Sequence, residues 1–137
     1  MCIDIAILGF DMNMLERVYD YLNDAGLLTG WTAQVQLWND TGIGTDRFLV
    51  LKTSGGTDVR QGLSNDFYFK LFVVGQQGQY DAEMVDNKAN EIIEYIKENP
   101  LDSCLNYIQM QSPLGDMMLT EEKRPVHELL LRVVWGE

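Results

Sequence analysis

Histidine occurs once in this chain of 137 residues, cysteine twice and proline three times. Cys2 and Cys104 stand at opposite ends of the sequence and belong to no Cys-x-x-Cys or Cys/His cluster, so no disulfide framework is expected and both thiols read as free. His127 has no motif linking it to either thiol, which removes the basis for a Cys–His nucleophile; a histidine in this setting reads as a surface or edge residue. Basic residues are scarce as well. Ten Lys+Arg stand against 21 Asp+Glu, for a formal net charge of -11 and a pI near 4.3. With no basic cluster to neutralise phosphates, tight non-specific nucleic-acid binding is not expected, and an anionic membrane surface would repel the chain. Nor does any apolar run approach the roughly 20 residues that span a bilayer. The segment Met1–Phe10 is apolar, yet it carries Asp4, has no Lys or Arg before Arg17 and lacks a signal-type cleavage site. It reads as part of the structure of a protein made in the cytoplasm.

What is present suits a single domain over residues 1–137: 46% hydrophobic and 23% charged residues are enough for one core. From Asp11 to Ala25 the spacing of Leu15, Val18, Tyr19 and Leu22 predicts a helix, which Gly26 ends. Ala33 to Trp38 alternates as a strand with one wet face, and Arg47 to Thr53 is apolar on both faces, as in a central strand. Phe67 to Val74 gives the strongest strand signal. Asp81 is placed to cap a helix whose stripe is Val85, Ala89, Ile92, Ile93 and Ile96, and Asn99-Pro100 stops it. Asn106 to Gln111 and Glu128 to Trp135 read as two further strands, joined by a turn-rich connection with Pro113, Gly115 and Pro125. The order predicts an α+β fold, a mostly antiparallel sheet of about four to five strands with two main helices packed on it.

Several local patterns touch on chemistry. Asp40-Thr41-Gly42 matches the aspartic-protease tripeptide, but Asn39 precedes it where an apolar strand residue is wanted and the bulky Ile43 follows, so a capped turn is favoured. Gly42-Ile43-Gly44 has Arg47 where a dinucleotide loop needs its third glycine. Asp81, Glu83 and Asp86 lack the glycine of a calcium loop, and Ile92 stands where the bidentate carboxylate belongs; acidic residues at a helix start are the simpler account. Glu91, Glu94 and Glu98 continue a solvated face. Trp31, Trp38 and Trp135 suit either core or interface positions. No catalytic constellation and no cofactor site is expected.

The stretch Asn65-Asp-Phe-Tyr-Phe-Lys-Leu-Phe-Val-Val-Gly75, followed by the amphipathic Met84-Val-Asp-Asn-Lys-Ala-Asn-Glu-Ile-Ile-Glu-Tyr-Ile96, resembles the phage tail terminators, the tail completion or minor tail proteins of the lambda type. The closing passage is similar too, with Pro113-Leu-Gly-Asp and then Thr120-Glu-Glu-Lys-Arg-Pro-Val-His-Glu-Leu-Leu-Leu-Arg-Val-Val134, where a polar turn with an arginine leads into a last strand. Met1–Phe10 is an addition to that pattern, placed to lengthen the first helix, add an edge strand or pack on a neighbouring subunit. The resemblance implies a structural virion protein without a reaction. It would form a ring of about six copies on the head-proximal end of the tail tube, stop tube growth and offer a surface to a head-completion or connector protein. Its partners would be itself, the tube protein and that connector, first in the host cytoplasm and then in the virion tail.

A closed ring uses head-to-tail contacts between different patches of one surface. Two polar segments suit such contacts or the tube end: the glycine-containing loop Gly55, Gly56, Thr57, Asp58, Val59, Arg60, Gln61 and Gly62, and the turn with Gln76, Gln77, Gln79 and Tyr80. An acidic ring also suits a channel for DNA, because like charge discourages sticking. The second reading is a small acidic cytosolic binding protein of the immunity or inhibitor type, steered by its charge onto a basic partner.

Overall fold

The computed structural model describes residues 14–53, 64–78, 81–102, 106–111 and 114–136. Helix α1, Met14–Asp24, buries Leu15, Val18 and Leu22, which recur every three or four residues along one side. It ends as its sequence predicts. Gly26 takes a left-handed φ of 76°, and the Gly26 and Leu27 amides donate back to Asn23 O at 3.0 Å and Leu22 O at 3.1 Å. This is the paired closure that glycine permits at a helix end.

Strands β1 (Thr32–Val35), β2 (Phe48–Thr53) and β3 (Ser64–Val74) follow, then helix α2 (Ala82–Glu98), β4 (Leu101–Asp102), β5 (Asn106–Met110), β6 (Met118–Leu119) and β7 (Pro125–Gly136). They form one sheet in the order β1-β2-β3-β7-β5-β4, with β6 also paired to β7. Every pairing is antiparallel except β1 with β2. The fold is the expected α+β class with more strands than expected. The additional strands, β4 and β6, have two residues each and leave no periodicity in the sequence. β1 stops at Val35, short of the expected Trp38, and β7 begins at Pro125 instead of Glu128. Proline is tolerated there because the first residue of a strand need not donate to the ladder.

Alternation divides the side chains between two faces. Leu49 and Leu51 of β2, Phe69, Leu71 and Val73 of β3, and Leu129, Leu131 and Val133 of β7 lie under α1 and α2. Val85, Ala89, Ile92 and Ile96 of α2 close that core from above. Each fully buried Leu, Ile, Val or Phe contributes about 1.5–3 kcal/mol relative to exposure, so this layer dominates stability. Phe48, Val50, Val74 and Val126 form a smaller cluster on the opposite face, with Trp38 and Phe72 packed against it. β2 is therefore covered on both sides, which explains its unbroken apolar run, although it lies second from the sheet edge and not at its centre.

His127 corrects an expectation. The early start of β7 puts it on the helix-facing side, 5% exposed, with Nε2 3.3 Å from the Asp86 Oδ1 of α2. It is a core histidine and not a surface or edge residue.

The register also fixes where the loops emerge. Phe48 pairs with Val74 and Thr53 with Phe69, so the chain leaves β2 toward one end of the sheet and the turn after Val74 leaves the other. At about 3.4 Å per residue, the 11-residue β3 separates these ends by roughly 34 Å.

Candidate functional site

One end of the sheet is knit together around Arg124. This arginine sits just before β7 and is fully buried. Its Nε donates to Asp40 Oδ2 at 3.1 Å and its Nη2 to Asp40 Oδ1 at 3.2 Å. Nη2 also donates to Ile43 O at 2.7 Å, and Nη1 to Asp46 O at 2.7 Å and Gly75 O at 3.1 Å. A guanidinium has five N–H groups, and here each finds an acceptor. Its Cζ lies 5.1 Å from the centre of the Phe48 ring. Three separate stretches, the connection 36–47, the turn after β3 and the approach to β7, are held by one side chain.

Asp40 is prepared for this role by its own turn. Its Oδ1 accepts the Gly42 amide at 2.8 Å, and that bond, with the Arg124 contact, outweighs partial burial and holds the carboxyl below its ordinary range. The Asp-Thr-Gly tripeptide is thus a capped turn whose carboxylate is occupied by an arginine.

A second pair backs the first. Arg47 donates through Nε and Nη2 to both oxygens of Asp81, at 3.0 and 2.8 Å, and the Gln76 amide donates to Asp81 Oδ2 at 2.8 Å. Burial pushes the Asp81 carboxyl up, but the Arg47 hydrogen bonds, the Gln76 amide and the Arg47 charge outweigh it and the net displacement is downward. The same bonds raise Arg47. Asp81 occupies the N-cap position of α2 but makes no side-chain cap bond, contrary to the sequence reading, because Arg47 and Gln76 claim both of its oxygens. Gly75 is required beside it: a Cβ there would meet Asp81 Oδ2 and Val85 Cγ2, each at 2.6 Å.

Of the sequence-predicted contact residues, Gln76 and Gln77 fall at this end. Gln76 turns inward, its Nε2 donating to Thr45 O at 2.9 Å, while the exposed Gln77 donates its amide to Gly44 O at 2.9 Å. Gln79 and Tyr80 lie outside the described residues, as do Gly55, Gly56, Thr57, Asp58, Val59, Arg60, Gln61 and Gly62. The chain leaves β2 at Thr53 and re-enters β3 at Ser64, at the far end of the sheet from Arg124.

The outer sheet face carries a feature that the sequence reading did not isolate. Trp38, Val50, Phe72, Val74 and Val126 line an apolar cleft of about 180 Å³, with Lys52 and Thr120 at its rim. Trp38 meets Phe48 edge-on at 5.9 Å, and Lys52 Nζ lies 5.6 Å from the Phe72 ring centre. Leu37, Met118 and Leu119, close in sequence to lining residues, are 80%, 54% and 57% exposed. Alternation is the available signal for this face: Phe72 and Val74 are apolar where a wet face would carry polar residues. Among the described residues, no group of three His, Cys, Asp or Glu is placed to hold a metal ion.

A family model described as phage tail termination protein matches residues 11–137. The chain belongs to that family. No curated protein matches it. Among the solved structures that match, one covers 91% of this chain and 99% of its own, with a TM-score of 0.52 at 12% identity, a likeness that shows the fold alone. Tail termination proteins are structural components of the phage tail. Among the described residues no helix is long and apolar enough to cross a membrane.

Proposed function

We propose that this tail termination protein, acting as one domain over residues 1–137, caps the head-proximal end of the tail tube as a ring of about six copies, ends tube growth and presents the head-joining surface. The family match over residues 11–137 carries this reading. The position of the loops supports it. The segment 55–62 and the turn at 76–80 adjoin opposite ends of β3, so a subunit standing upright in a ring has one contact segment for the tube end and another for the head side. The Arg124 cluster gives the second of these ends a fixed shape, which suits a docking surface. The partners are further copies of this chain, the tube protein and a head-completion protein. A reaction is no part of the role.

Sedimentation over a wide concentration range, with and without magnesium and added salt, together with negative-stain imaging, tests ring formation. At -11 per subunit, repulsion opposes closure and counterions relieve it. Rings that grow in with concentration or magnesium are expected. A monomer throughout, even in the presence of tube ends, would overturn the ring. A one-to-one complex with a basic protein would favour the inhibitor reading instead.

A further inference from the structure

The family match begins at residue 11 and leaves Met1–Phe10 outside it. It contains Ile3, Ile5, Ile7, Leu8 and Phe10, with Asp4 among them and Asp11 directly after. Such a segment needs an apolar surface to cover it, and the outer sheet face offers one in the Trp38–Phe72 cleft. An apolar cavity of about 150 Å³ accepts a benzene-sized group, so 180 Å³ accommodates an isoleucine or a phenylalanine side chain. Charge adds to this: Lys52 stands at the cleft rim, and the one charged side chain of the segment is the acidic Asp4.

We infer that Met1–Phe10 of one subunit seats on the outer sheet face of the adjacent subunit, its aliphatic side chains in the cleft and Asp4 toward Lys52. The inference rests on the ring reading and assigns one of its contacts. The neighbour is favoured over the chain's own face by reach. Leu15 of α1 is buried on the helix side of the sheet and the cleft is on the other side, yet only Asp11–Asn13 separate the segment from Met14. Three residues span at most about 11 Å, too little to pass a helix layer and a sheet and still lay the whole segment in its own cleft.

Cys2 lies within the segment and supplies the test. In a Cys104→Ser background, Thr120→Cys and, separately, Lys52→Cys place a thiol at the cleft rim. The rings, formed alone or on tube ends, are then mildly oxidised and run on non-reducing gels. Covalent dimers and higher multimers are expected from either variant and should disappear when Cys2→Ser is added. A chain lacking residues 1–10 should keep the melting temperature of the monomer and need at least tenfold more protein to form rings. Intrachain disulfides at monomer mass would overturn the inference, as would rings that form without cross-links or are indifferent to the deletion. Failure of the full-length chain to form rings in any condition would overturn the ring reading along with it.

Discussion

Arg124 and Asp40 lie 84 residues apart in the sequence and meet through two hydrogen bonds, at 3.1 and 3.2 Å. The pair joins the connection between two parallel strands to the approach to the last strand, and the remaining Arg124 donors tie in Ile43, Asp46 and Gly75.

Removing the guanidinium should therefore cost far more than one surface ion pair. Arg124→Met leaves the Asp40 carboxylate and three main-chain carbonyls short of a donor, for an expected loss of about 3–5 kcal/mol in chemical denaturation. Arg124→Lys should recover little, because an ammonium cannot reproduce the fork. A loss below about 1 kcal/mol for the methionine variant would contradict this account.

Gly75 gives a sharper steric prediction. Gly75→Ala drives a methyl group into Asp81 and Val85 and should destabilise by roughly 1–3 kcal/mol. At Gly115 a Cβ meets nothing within 4 Å, so Gly115→Ala should change stability by no more than about 0.5 kcal/mol. Thermal melts of the two variants side by side are sufficient, and equal effects would refute the crowding at Gly75.

Acid should loosen the same end of the molecule. Both Asp40 and Asp81 have carboxyls lowered in the fold, so their stabilisation is fully present above the ordinary aspartate value near 4 and is lost as pH falls through the depressed folded values. Stability measured from pH 7 downward should stay nearly level from these two groups until about pH 5 and then decline. In Asp81→Asn the decline should be shallower and the starting stability lower. An unchanged acid slope would show that Asp81 is not a contributor.

The segment at the far end can be altered without touching this cluster. Thr53 pairs with Phe69 and Ser64 lies five strand positions further on, so replacing residues 54–63 with a Gly/Ser stretch of equal length keeps the span and the β2–β3 register and should leave the melting temperature within a few degrees. Binding to tube ends, followed by co-sedimentation, should be lost. Retained binding would remove this loop from the tube contact.

Much of the fold is written locally. The alternation of Phe69, Leu71 and Val73, the α2 stripe and the closure of α1 at Gly26 each depend on neighbours within a few residues, so periodicity exposes them. The parallel β1–β2 pairing and the two-residue strands are tertiary, since they form only when distant chain is brought alongside. The Arg124 cluster is hidden for the same reason. Lys123-Arg124-Pro125 reads as a polar turn, and its five acceptors come from residues 40, 43, 46 and 75. Asp81 reads as a helix cap because its position is right, and only the approach of Arg47 redirects its oxygens.

The most direct measurement is the length of tail tubes assembled from purified tube protein, imaged with increasing amounts of this protein added during growth. Capping predicts that the mean length falls as the protein is raised and that one end of each tube carries a ring of added density. Tubes of unchanged length with bare ends would contradict the terminator role.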